Sequence, residues 1–192
     1  VRDLAIRDIV VAGGSTLFTT PGAAAVANVL ADDYMDVESI REAVELLQTA
    51  NAPKFYGDYY TCFVHPHQAA YLKRDPDWVN AHLYANDRAL FNGEVGRWED
   101  VIFIVTTHQG NGAAGAAAAG HEAALNNTGA SAQDLYRATV VADQAYAVAD
   151  ALPVELRDDG VTNFGRRHGL AWYAMWGQGV LNSDHIVHIV SS

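Results

Sequence analysis

The chain has 192 residues, half of them hydrophobic, which is enough to bury the core of one domain or of a two-lobed one. Lys and Arg total 12 against 23 Asp and Glu, a net charge of -11, and this balance argues against tight sequence-independent gripping of nucleic acid, which needs clustered cations. Cys62 is the one cysteine, so no disulfide closes within the chain, reducing conditions suit it, and no Cys/His zinc spacing is present.

The elements read as follows in chain order. Val1-Arg2-Asp3-Leu4 has no initiator Met and looks like the interior of a helix, so we expect a cut, processed or unresolved start. Ile6, Ile9 and Val10 share one helical face, and Gly13-Gly14 stops it. From Ser15 to Tyr34 the spacing predicts irregular connection with at most a short strand. Asp36 then opens the clearest helix: it suits the N-cap, Glu38 complements the helix dipole, and Val37, Ile40, Val44 and Leu47 form an apolar stripe beside Ala43. Asn51-Ala52-Pro53 ends it. Tyr59 to Val64 is aromatic and β-branched and reads as a strand. Pro66 suits the first position of a new helix carrying Ala69, Ala70 and Leu72, and Pro76-Asp77-Trp78 begins another.

The centre of the chain is a compact turn, Asn92-Gly93-Glu94-Val95-Gly96, running into Val101-Ile102-Phe103-Ile104-Val105. Five consecutive β-branched or aromatic residues predict a strand buried on both faces. His108 to Ser131 is rich in Ala and Gly and is expected to be a long surface loop, since each glycine costs a helix about 1 kcal/mol. Beyond it lie strand-like pieces at Tyr136 to Ala142, Tyr146 to Ala149 and Val154 to Arg157, with a turn expected at Asp158-Asp159-Gly160. Leu170 to Trp176 is a further strand, Gly177-Gln178-Gly179 is expected to turn the chain, and His185 to Val190 alternates as a half-buried strand should. No apolar run approaches the roughly 20 residues of a membrane span, and no secretory leader is expected in this stretch.

Chemistry is sparse. The sharpest metal candidate is His65-Pro66-His67, but alternate residues share a face only in a strand, Pro66 ends that strand, and no partner follows at fixed spacing; a strand end capping a helix is the preferred reading. His82, His108, His121, His168, His185 and His188 are scattered. Glu94, Glu99, Asp100 and the pairs Asp32-Asp33, Asp75 with Asp77 and Asp158-Asp159 supply neighbouring carboxylates, for which turn and cap roles suffice. Cys62, inside a predicted buried strand, reads as a small hydrophobe. No serine sits in G-x-S-x-G, and the lone G-x-G-x-x-G at Gly110, Gly112 and Gly115 precedes no acidic βαβ unit. Arg166-Arg167 suits solvent or interface ion pairs, while Trp78, Trp98, Trp172 and Trp176 default to core packing.

Three blocks carry a resemblance. Gly57-Asp58-Tyr59-Tyr60 with Val64-His65-Pro66, the run from Leu90-Phe91-Asn92-Gly93-Glu94 to Trp98, and Gly165-Arg166-Arg167 through Trp172-Tyr173 to Leu181-Asn182 resemble a family of tailed-bacteriophage major capsid proteins. The order of elements is similar to the phage and herpesvirus capsid fold. The resemblance implies an α+β fold with an axial and a peripheral domain: residues 1–35 as the end of the spine helix and its connection, 36–150 as axial domain, 151–179 as peripheral strands and 180–192 as a terminal strand returning to the axial domain. It also implies that the N-terminal arm, the extended loop and most of the spine helix lie outside these residues.

The function implied is that of a shell subunit, forming pentamers and hexamers of an icosahedral wall around double-stranded DNA that it does not specifically recognise. Portal, scaffold or decoration proteins are implied as further partners. No catalysis, cofactor, metal or membrane is implied, and the location is the virion, with the host cytoplasm during assembly. Asn92, Gly93 and Gly96 are then expected as a structural turn, and Arg97, Trp98, Arg166 and Arg167 as inter-subunit contacts. Two alternatives stand beside this reading. One is an encapsulin-like compartment shell of the same fold, told apart by its cargo. The other is a small metal-dependent hydrolase using His65, His67 and nearby carboxylates.

Overall fold

A computed structural model describes residues 14–19, 28–55, 58–79, 97–98, 100–106 and 135–192. The expected N-terminal helix, the turn at Asn92, Gly93 and Gly96, and the Ala/Gly loop lie outside the described residues. The described elements are β1 (Ser15–Phe18), α1 (Val37–Thr49), β2 (Tyr60–Val64), α2 (Pro66–Leu72), β3 (Arg97–Trp98), β4 (Val101–Val105), β5 (Tyr136–Val141), β6 (Tyr146–Thr162), β7 (Arg167–Val180) and β8 (Ile186–Ser191). Helices and strands are mixed along the chain, as an α+β fold requires.

Six strands form one mixed sheet in the order β1-β8-β5-β2-β4-β3. β1 runs parallel to β8 and β2 parallel to β4, whereas β5 is antiparallel to both β8 and β2. α1 forms where the apolar stripe places it. The Asp36 carboxylate accepts the Ser39 amide at 2.9 Å, Glu38 lies in the first turn, and Asn51 leaves the helix with φ 53°. Val37, Ile40, Ala43, Val44 and Leu47 are all buried against Tyr60, Cys62, Val101, Phe103, Ala138, Val140, Val187 and Ile189. These sheet residues alternate along their strands, so one face of the sheet receives both helices.

The other face is not bare. Val141, Ala145 and Ile186 pack with Phe55, Phe63 and Val180, and Val29, Leu135 and Val190 pack with Phe18. β8 is therefore covered on both sides and flanked by β1 and β5, and all six of its residues are buried. The expectation of a half-buried strand over His185 to Val190 fails here because its polar residues, His185 and His188, are paired and buried rather than solvated. Thr139 Oγ1 lies 3.0 Å from His188 Nδ1 across the β5–β8 ladder, and Gln68 Nε2 donates to Ser191 Oγ at 2.8 Å.

β4 departs in the opposite sense. Val101 and Phe103 are buried, but Ile104 is 44% and Val105 39% exposed, so the expectation of burial on both faces is corrected. The cause is position: β3 pairs only with Val101 and Ile102, leaving the far half of β4 near the rim of the sheet.

Candidate assembly surface

β6 and β7 belong to a separate two-stranded antiparallel sheet. Pairing runs from Tyr146 with Val180 at the base to Thr162 with Arg167 at the tip, and the 17 residues of β6 give a ribbon of roughly 50 Å at the usual strand rise. At its base Ala145 O accepts the Leu181 amide at 2.9 Å, and Ala145 and Val180 pack with Val141 and Ile186 on the sheet's second face.

Two turns expected from the sequence are not turns. Asp158-Asp159-Gly160 lies inside β6, at one of three register shifts along the ribbon; the Asp158 carboxylate accepts the Gly160 amide at 2.8 Å and Gly160 has φ 74°. A bulge uses the same Asp and Gly chemistry as a turn, which is why the sequence looked like a reversal. Gly177 and Gly179 sit within β7 opposite Ala149 and Ala147, and a Cβ at either would meet nothing within 4 Å. The chain reverses after Leu181 instead, through a short 3-10 turn at Ser183–His185.

The real tip is Asn163-Phe164-Gly165, with φ of 54°, 54° and 85°, closed by the Arg166 amide donating to Asn163 O at 3.2 Å. A left-handed phenylalanine is an outlier, and Phe164 is fully exposed.

The ribbon's faces are apolar in a way that a free surface is not. Leu156 and Trp172 are direct cross-strand partners, Leu170 follows on the same face, and these three are 71%, 71% and 60% exposed. On the other face Tyr173 lies opposite Glu155, carries the Arg157 guanidinium 5.0 Å from its ring, and is followed by the exposed Met175. Each of these large side chains forgoes about 1.5–3 kcal/mol that full burial would give. A two-stranded ribbon is only marginally stable in water without a cover. Its ion pairs, Arg157 with Glu155 and His168 Nε2 with Asp158 at 2.7 Å, are exposed and stabilise it little.

The residues singled out in the sequence are dispersed. Trp98 stacks on Trp78 with ring centroids 5.7 Å apart, and Trp78 meets Phe103 edge-on at 5.3 Å, so both indoles pack at the core's margin. Arg97 pairs through its backbone with Ile102. Arg166 and Arg167 are exposed at the ribbon tip. Trp172, for which core packing was the default, is instead on the open ribbon face.

His65 and His67 are engaged with aromatic rings. His65 Nδ1 accepts the His67 amide at 3.2 Å as the N-cap of α2, and the two imidazoles stack on Tyr136 at 4.7 and 4.3 Å. Among the described residues no group of three or more His, Cys, Asp or Glu could hold a metal. The carboxylates serve the backbone: Asp33 accepts the Leu30 amide, and Asp75 those of Val37 and Asp77. Burial pushes the Cys62 thiol far above its ordinary range, which leaves it a packed hydrophobe. Glu94 and Glu99 lie outside the described residues.

The resemblance implied long antiparallel strands over about Val154 to Trp176, and β6 and β7 pair in that way; what sequence reasoning missed is that their apolar faces stand open. The apolar signal was present in Leu170, Trp172, Ala174 and Trp176, which recur at the two-residue period of a strand face, but no charge or motif marks that face as open.

A family model described as "Phage capsid protein" matches residues 3–179. The chain belongs to that family. Its fold is similar to that of solved phage capsids: the cyanophage Pam1 capsid at a TM-score of 0.72 and 17% identity over 92% of this chain, and the Ralstonia phage GP4 capsid at 0.63 and 17% over 92%. The head of Helicobacter pylori bacteriophage KHP40 aligns over 100% of this chain at a TM-score of 0.67 and 14% identity. No curated protein matches the chain. This capsid-family chain spans 53%, 52% and 65% of the Pam1, GP4 and KHP40 chains respectively, about half to two thirds of their length.

Proposed function

We propose that this chain is part of a major capsid protein whose copies assemble, as pentamers and hexamers, into the icosahedral shell that encloses double-stranded phage DNA. The reading rests on one observation above all: a ribbon with large apolar side chains exposed on both faces, in a chain of the phage capsid protein family. Such a surface is costly on a solitary protein and useful on one that meets several copies of itself. The small residues at the ribbon base, Gly177 and Gly179 opposite Ala149 and Ala147, suit the close approach of another backbone.

In this reading the sheet with α1 and α2 is the axial domain, the ribbon belongs to the peripheral domain, and the chain from residue 180 returns to the axial sheet as β8; β1 comes from the 1–35 stretch expected as the peripheral domain's spine-helix end and connection, but pairs with β8 in the axial sheet. The division placed between residues 150 and 151 then falls inside β6, so one strand passes from one domain to the other. The role is structural, with no chemical step. The protein is assembled in the host cytoplasm and ends in the virion.

The test is expression of the full-length protein and negative-stain microscopy of what it forms. Closed particles or capsomer rings are the expected result. A monodisperse monomer at micromolar concentration, with or without the other phage head proteins, would overturn the reading.

A further inference from the structure

The corner where α2 meets β5 holds a continuous run of ring contacts, three stacked and one tilted. Tyr34 stacks on Tyr71 at 3.8 Å, Tyr71 meets His67 at 5.0 Å, His67 stacks on Tyr136 at 4.3 Å, and Tyr136 stacks on His65 at 4.7 Å. Among the described residues the two histidines belong to no group of three or more potential metal ligands. We propose that this corner is an acid-sensitive latch, in which neutral His65 holds the first turn of α2 against the sheet and its protonation lets that turn go.

The argument starts from the cap. Pro66 at the first helical position has no N–H, so the first amide of α2 needing an acceptor is that of His67, and His65 Nδ1 supplies it at 3.2 Å. Only a neutral imidazole has an acceptor nitrogen; the imidazolium is a donor at both. Protonation at Nδ1 therefore removes the cap and sets two N–H groups against each other. The turn so loosened carries Gln68, whose Nε2 donates to Ser191 Oγ at 2.8 Å and to Tyr136 O at 3.3 Å, and buried Ala69 and Leu72. One proton thus acts on the ties between α2 and the ends of β5 and β8.

Among the described residues, no anion acts on His65. On α2 the titratable groups facing the stack are His67 and Tyr71, with Arg74 just beyond, 4.9 Å from the Tyr71 ring. From β5 it is Tyr136, while Arg137 belongs to the opposite sheet face; from the segment before α1 it is Tyr34, with Asp32 acting on that tyrosine and not on His65. Burial first, then the neighbouring His67, hold the His65 pKa below its ordinary 6.5. A depressed histidine pKa means that the stabilisation is complete above the unfolded value and is lost as pH falls through the folded one. The latch is therefore closed at neutral pH and opens on acidification below about 6.5.

Hydrogen exchange on the full-length protein at pH 7.5 and 5.5, corrected for intrinsic rates, tests this. Amides of His67 to Tyr71 should lose roughly twofold or more in protection at the lower pH. Those of α1, whose cap is the carboxylate of Asp36, should not change. In His65→Asn, which keeps a capping oxygen and cannot titrate, the acid-induced loss should vanish; His65→Ser provides the same reading if Asn is not tolerated. His67→Gln should retain a smaller loss. An undiminished loss in both His65 variants, or no loss in the wild type, would overturn the proposal.

Discussion

The six-stranded sheet and the two-stranded ribbon are made from similar side chains and use them in opposite ways. In the sheet, Ile189 and Val187 are buried beneath α1, and even polar Thr139 and His188 are enclosed as partners of one another. In the ribbon, Leu156, Leu170, Trp172 and Met175 stand open although their strands pair continuously enough to bring them together. Eight of the sixteen large hydrophobics exposed among the described residues fall between Val154 and Met175. The sheet is stabilised by its own layers, whereas the ribbon is ordered by pairing but not by burial. Stability and assembly are thereby separated along one chain, and substitutions should report on one or the other.

The sharpest way to break that division is to weaken the sheet. Ile189 is fully buried in β8, paired with Leu17 on one side and Ala138 on the other. Ile189→Ala should cost the unassembled subunit about 2–5 kcal/mol, read from urea unfolding. Gly14 comes next. Its φ is 98°, and a Cβ there would lie 2.5 Å from Ile186 O, so Gly14→Ala combines a left-handed backbone with a clash at the entry to β1 and should cost roughly 1–3 kcal/mol. Asp36→Ala removes the acceptor for the Ser39 amide and hydroxyl and should cost about 0.5–2 kcal/mol by the same measurement. If any of the three left the subunit's stability untouched, the sheet would not be the self-sufficient body described above.

What the sequence made legible follows the same division. α1 was readable from Asp36, Glu38 and a stripe that the structure buries completely, because local cap chemistry and helical period agree with the tertiary environment. α2 was readable from Pro66, and the capping role of His65 from the strand that ends before it. β8 was harder: its alternation looked like exposure, and only the positions of Thr139 and Gln68, distant in sequence, convert His188 and Ser191 into buried residues. The ribbon's long antiparallel strands were implied by the resemblance and not by local pattern, whereas bulges at Asp158 to Gly160 and glycines at 177 and 179 look locally like reversals and were misread. Arg166 and Arg167, expected as inter-subunit contacts, lie at the ribbon tip, and no local pattern distinguishes an apolar strand face that is open from one that is covered.

The smallest effect on stability should come from the ribbon, and it is the most informative. Trp172 is 71% exposed and touches no part of the sheet's core, so Trp172→Ser should change the unfolding free energy of the isolated subunit by no more than about 0.5 kcal/mol. Buried at a contact between copies, the same indole is the kind of side chain whose loss costs 2 kcal/mol or more. Because every copy would carry the substitution at each repeated contact, that cost multiplies around the shell, and particles seen by microscopy or sedimentation should disappear while the monomer stays folded. Leu156→Ser, opposite Trp172 on the same face, should behave alike and add little to it, since the pair forms one surface. A Trp172→Ser protein that assembled normally would place the binding energy elsewhere, on the tip at Phe164 or on the mixed face of Tyr173 and Met175. One that failed to fold would mean that the ribbon's open face is part of the subunit's own core.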